Sequence, residues 1–175
     1  MFCLSVRISE LRALKWSDYN KEEKTIHLNH SIVTKRDGDT HRKATDVNYM
    51  KRHSEAGKRD LEVSDFAENI LAELYKLNGD KEYILQSHGE MPISTNNFNE
   101  HLKKYCAECG IRYLSSHKIR FYVCSRMYDL GMDETTIQSN MGHSSLDMTR
   151  HYDRRKKKPV ERSVVNSVFG FNISG

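Results

Sequence analysis

Apolar residues recur at helical spacing in six stretches of this chain and alternate with polar ones in three others. Leu4, Ile8, Leu11 and Leu14 mark a first helix over residues 4–15, broken by Trp16-Ser17-Asp18, with Arg7 at the flank of its stripe. Ile26 and Leu28 then alternate within Thr25–His30, Val47 and Tyr49 within Ala44–Met50, and a third alternating stretch covers Arg59–Val63. Asp37-Gly38-Asp39 and Ser54-Glu55-Ala56-Gly57 punctuate them as turns. Ser64-Asp65 opens a helix carrying Phe66, Ile70, Leu71, Leu74 and Leu77, which ends at Asn78-Gly79. Tyr83-Ile84-Leu85 is a short apolar run. Pro92 and Ser94 precede a helix striped by Phe98, Leu102, Tyr105 and Cys106 and stopped at Gly110. Ser115-Ser116 caps a helix to Leu130-Gly131, Asp133 caps one ending at Gly142, and Ser144 or Ser145 caps a last one reaching Tyr152. The expectation is an α+β fold, mainly helical, with a small antiparallel three-stranded sheet at one edge.

Composition narrows the class. At 175 residues, 37% hydrophobic and 30% charged, the chain suits one globular domain with a sizeable core. No run of roughly 18 apolar residues exists for a membrane span, and the N-terminus lacks signal-peptide character. Cys3, Cys106, Cys109 and Cys124 are too few and too scattered for a disulfide scaffold, which points to a reduced cytoplasmic setting. Cys106-x-x-Cys109 lacks the second ligand pair that a zinc site needs.

The net charge of +4 is unevenly spread. Residues 35–59 hold eight Lys or Arg against four Asp or Glu, and Arg154 to Lys158 is an unbroken basic run. Such clusters suit a phosphate-backbone binder, although a solvated face and a frayed tail give the same pattern.

The chemistry-bearing residues gather between His117 and Tyr152. His117 and Arg120 stand at i and i+3, so one helix projects both toward the same point. An arginine offers a planar fork of donors matched to two phosphate oxygens. Gly142 closes a helix and can turn left-handed, aiming His143 into a cleft. Tyr152 follows nine residues later; a phenol, with a pKa near ~10, needs a base or nearby positive charge to act as a nucleophile. Singly, each of these residues has an ordinary surface or core explanation. Their order is what carries information.

That order resembles the catalytic domain of the tyrosine recombinase, or phage integrase, family. The matching pieces are R-I-S-E-L-x-A-L-K-W-S-D from Arg7 to Asp18, H-x-x-R at His117, G-H-S-S at Gly142 to Ser145, and Tyr152. The wording is most similar to integrases of phages and integrative mobile elements. The resemblance implies that Arg7 and Arg120 clamp the scissile phosphate, that His117 assists proton transfer, and that His143 hydrogen-bonds the phosphate. It implies that Tyr152 is the nucleophile, forming a 3′-phosphotyrosyl link and freeing a 5′-hydroxyl. Glu10 matches an acidic position that supports the site. A hairpin lysine is expected as general acid. Where the family tends to read P-K-T-x-x-S-x-R, this chain has Met50 to Arg59, making Lys51 the favoured position and Lys58 its rival.

A covalent protein–DNA link preserves the energy of the broken phosphodiester, so no cofactor or metal is expected, in keeping with a sequence that has no glycine-rich phosphate loop. Double-stranded DNA is the expected partner, with self-association on it as a tetrameric synapse, no membrane, and a cytoplasmic, nucleoid-associated location. Residues 1–158 are expected to form the catalytic domain lacking its first helices, and 159–175 a tail docking on a neighbouring protomer. Leu4-Ser5-Val6-Arg7 stands where family members commonly read T-G-L-R, and the amino-terminal core-binding domain is expected to be missing. The alternatives are a non-catalytic DNA-binding remnant and a strand-relaxing enzyme of type IB topoisomerase kind.

Overall fold

The structure, a computed structural model, describes residues 3–37, 41–50, 55–86 and 89–154. Among them lie six α-helices and five strands. Helix α1 spans Ile8–Ala13, shorter than the helix expected over residues 4–15. Ser5 has a φ of +53° and Arg7 is extended, so the chain cannot be helical before Ile8. Glu10 then accepts the Arg7 backbone N–H at 2.8 Å and satisfies one of the donors left open at the helix start. At the other end the Leu14 carbonyl leaves the helix to accept the N–H of Ile84 at 2.9 Å, which anchors the apolar run beginning at Tyr83.

Strands β1 (Tyr19–Asn20), β2 (Thr25–Leu28) and β5 (Arg59–Glu62) form an antiparallel three-stranded sheet in the order β1-β2-β5. β3 (Ser31–Asp37) and β4 (His41–Val47) form a separate two-stranded hairpin, registered from Ser31 opposite Val47 to Asp37 opposite His41. The sheet has the expected number of strands but not the expected members. The stretch read as the second strand, Ala44–Met50, contributes Ala44–Val47 to β4, which pairs instead with β3, a strand the sequence pattern did not reveal. The third place goes to the two-residue β1, too short to show any periodicity.

Four further helices start at the residues expected: α2 (Asp65–Asn78), α3 (Thr95–Glu108), α4 (Ser116–Asp129) and α5 (Glu134–Met141). In each, the side chain of Ser64, Ser94, Ser115 or Asp133 accepts the N–H three residues on. Ser145 does the same for α6 (Leu146–Arg150), leaving Tyr152 in the turn beyond it rather than on the helix. The apolar face of α2 also differs from expectation. Ala67 and Leu71 are buried, whereas Phe66 is 68% and Leu77 75% exposed. Successive residues sit ~100° apart around a helix, so the apolar arc of α2 is wider than the core that covers it.

Two cores result. Leu11, Leu14, Ile26, Leu28, Met50, Leu61 and Leu71 join α1, the sheet and α2; Cys124, Tyr128, Ile137, Met141 and Tyr152 join α4 and α5. Among the described residues no helix is long and apolar enough to cross a membrane. Residues 159–175 lie outside the described residues.

Candidate active site

The seam between the two cores is a cavity of about 310 Å³ lined by Arg7, His117, Arg120, His143 and Tyr152, with Ile8, Ser9, Ser116 and Met148 between them. Five of the six residues singled out in the sequence therefore share one hollow. The sixth, Lys51, lies outside the described residues. Its rival Lys58 does not line the cavity; its ammonium pairs with Glu55 at 3.0 Å, half-exposed. A larger hollow of about 710 Å³, beside Trp16 and Tyr75, shares none of the five residues.

Arg7 is the residue before α1, and its extended backbone sends the side chain across the seam. One guanidinium nitrogen donates to Glu10 Oε1 at 2.6 Å and another to the Gly142 carbonyl at 2.7 Å. Arg120, on the buried side of α4, donates to the carbonyls of Ser5 and Met141. Desolvation, helped by the nearby Arg7, pulls Arg120 down to about 10, which leaves it charged at neutral pH. His117, in the first turn of α4, is exposed at the cavity rim.

Gly142 has φ 60° and ψ 43°, the left-handed conformation that reverses the chain after α5. This turn brings His143 inward, where it is 2% exposed. Its Nδ1 lies 3.0 Å from Thr149 Oγ1, and its ring stacks on Tyr152 with centroids 5.4 Å apart at 18°. Burial, with Arg120, Arg7 and Arg59 adding repulsion, lowers His143 to about 4, so the imidazole is neutral at neutral pH. Tyr152 also packs against Phe121, their ring centroids 4.9 Å apart at 52°, and its backbone carbonyl accepts from Ser125 Oγ at 3.0 Å.

Glu10 is 1% exposed and carries two cationic partners, Arg7 and Arg59. Burial opposes its ionisation, but those two guanidinium groups outweigh burial and hold its carboxyl below the usual range. Arg59 was not singled out in the sequence, and neither were Thr149 and Phe121. The one signal for Arg59 was its place as the arginine that closes the segment from Met50 and opens an alternating strand. The arrangement as a whole presents two fixed cations, a neutral imidazole and a phenol around a space large enough for a phosphate group, which suits anion binding and nucleophilic attack.

Comparisons with known proteins agree with this architecture. The family model of the phage integrase family matches residues 1–158. Tyrosine recombinase XerC of Rickettsia typhi is 29% identical over 110 residues, covering 59% of this chain and 35% of that protein. Tyrosine recombinase XerA of Thermococcus kodakarensis is 30% identical over 91 residues, covering 50% of this chain and 32% of that protein. The chain thus spans about a third of the length of these two relatives. Among solved structures, the Tn1549 transposon integrase in complex with a circular intermediate DNA superposes with a TM-score of 0.76 at 16% identity, over 95% of this chain and 56% of that one. XerA recombinase superposes with a TM-score of 0.66 at 19% identity, over 97% and 54%.

Proposed function

This chain belongs to the phage integrase family, and from that premise we propose that it cleaves and rejoins double-stranded DNA in the integration or excision of a mobile element. The observation that carries the proposal is the convergence of Arg7, Arg120, His143 and Tyr152 on one cavity from both sides of the seam. Tyr152 Oη attacks the scissile phosphorus, its proton passing to His117; the Tyr152 O–P bond forms as the P–O5′ bond breaks. Negative charge builds on the two non-bridging oxygens, where Arg7 and Arg120 already stand, held by carbonyls and by Glu10, so little reorganisation is needed. His143, neutral at neutral pH, serves as a hydrogen-bonding partner of the phosphate rather than a third cation. Lys51 protonates the departing 5′-oxygen. Attack of that 5′-hydroxyl on the phosphotyrosyl bond reverses the step, so no external energy source is required.

Double-stranded DNA is the proposed partner. The β3–β4 register supports this, pairing Lys35 with Lys43 and Arg36 with Arg42 along the backbone and so concentrating basic positions in one hairpin. Self-association on DNA as a tetrameric synapse, with residues 159–175 docking on a neighbouring protomer, belongs to the same proposal. The test is a nicked duplex that traps the cleaved state, offered to the protein. A DNA adduct that survives denaturation in the wild type and is lost in Tyr152→Phe supports the reading. No adduct with the wild type overturns it in favour of a DNA-binding remnant.

A further inference from the structure

We propose that Arg59 is a positioning residue for this site, completing a hub of three arginines on the C-terminal end of α5; the proposal rests on the phosphate-binding reading of the cavity. Three consecutive carbonyls at that end each accept from a different arginine. Asn140 takes Arg59 Nε at 2.8 Å, Met141 takes Arg120, and Gly142 takes Arg7 at 2.7 Å. The last carbonyls of a helix have no partners within it and carry the negative end of its dipole, so they form a natural seat for cations. Here one seat fixes three cations that arrive from β5, from α4 and from the residue before α1.

Arg59 differs from the other two in where its nitrogens point: all three donate within the protein, away from the cavity. Its Nη1 donates to the Gly57 carbonyl at 2.7 Å and its Nη2 to Glu10 Oε2 at 3.1 Å, its side chain is 6% exposed, and it does not line the cavity. It acts through Glu10, which it shares with Arg7, and through the backbone that leads into Gly142 and His143. The absence of a side chain at residue 142 fits this role. A Cβ there would stand 2.6 Å from Arg59 Nη1 and 2.9 Å from Arg59 Cζ, so the helix end and the guanidinium can close only over a glycine.

A lysine in place of Arg59 keeps the charge but cannot reach Glu10, Gly57 and Asn140 together. For Arg59→Lys, the expected result is a cooperatively unfolding protein whose affinity for duplex DNA stays within about twofold, because scattered phosphate contacts set that affinity. Its single-turnover cleavage falls by ~10²-fold, the usual effect of misplacing a site by about an ångström. Arg59→Ala is expected to recover cleavage when ethylguanidinium is added, whereas methylammonium gives no recovery. A second readout needs no cleavage: inorganic phosphate, followed through the ring signals of His143, binds about ten times more weakly to Arg59→Lys than to wild type. If wild type binds phosphate but never cleaves, the recombinase reading fails while the positioning role stands on the binding result. Wild-type phosphate affinity in Arg59→Lys, or cleavage and DNA binding lost in parallel, overturns the role of Arg59.

Discussion

Arg7 and Gly142 lie 135 positions apart in the chain, and Arg7 Nη2 donates to the Gly142 carbonyl at 2.7 Å. That one bond spans the seam between the two cores and fixes the first arginine against the turn that delivers His143. The geometry of the cavity is therefore set by tertiary contacts to a helix end, not by any single element.

Arg7→Ala and Arg120→Ala should separate chemistry from folding. Each is expected to lower cleavage by at least ~10²-fold, the usual effect of losing a preorganised donor to a developing charge. They should differ in stability. Arg120 is 4% exposed and its loss orphans the buried Ser5 and Met141 carbonyls, at about 1–3 kcal/mol for each group left unpaired. Arg7 is more accessible and leaves Glu10 still paired with Arg59. Urea unfolding should show the larger loss in Arg120→Ala.

Gly142→Ala places a Cβ both in a left-handed backbone and against the Arg59 guanidinium. The backbone cost alone is about 1–2 kcal/mol, and displacement of Arg59 adds to it. Gly131, also at positive φ but with room for a Cβ that would meet nothing within 4 Å, is the control. Equal losses for the two alanine variants in urea titration would contradict the close packing of Arg59 on Gly142.

His30 should make stability depend on pH. Its Nε2 lies 2.9 Å from Asp18 and its Nδ1 2.8 Å from Asp46, while Lys15 and Tyr83 also bond Asp46. The bond to Asp18 leads in raising His30, against the opposing effect of burial, with Asp46 adding to the rise. A raised folded pKa stabilises fully below the unfolded value of ~6.5 and is lost as pH rises through the folded value. Wild type should therefore lose urea resistance between near-neutral and alkaline pH, and His30→Gln should lack this component.

His143 shifts the other way. Lowered to about 4 by burial and by Arg120, Arg7 and Arg59, it stays neutral where an unfolded chain would begin to bind a proton. Its contribution is present above ~6.5 and lost as pH falls toward about 4. Ring resonances of His143 should show little titration from pH 8 to 5. An ordinary midpoint near ~6.5 would contradict the burial and charge assigned to it.

The sequence conveyed the local features of this fold well. Caps at Ser64, Ser94, Ser115 and Asp133 depend on one side chain and an N–H three residues on, so composition and spacing reveal them. The left-handed turn at Gly142 was legible for the same reason. Strand β3 was not, because Ser-Ile-Val-Thr-Lys-Arg-Asp draws its conformation from pairing with β4 rather than from a buried alternating face. Nor was the inward face of α2, since an apolar arc from Phe66 to Leu71 does not show which part a core will cover. Arg59 was invisible as a site neighbour because its acceptors come from three distant or backbone sources: Glu10, the Gly57 carbonyl and the Asn140 carbonyl. The grouping of Arg7 with His117, Arg120, His143 and Tyr152 was legible only as an ordered set.

The most direct test of the central claim is to digest the protein after reaction with the nicked duplex and find the residue that carries DNA. The expected result is a single modified peptide with the 3′-phosphate on Tyr152, and release of the DNA when a strand bearing a 5′-hydroxyl is supplied. A modified peptide containing Tyr122 or Tyr128 in place of Tyr152, or cleavage that leaves no phosphotyrosine, would contradict it.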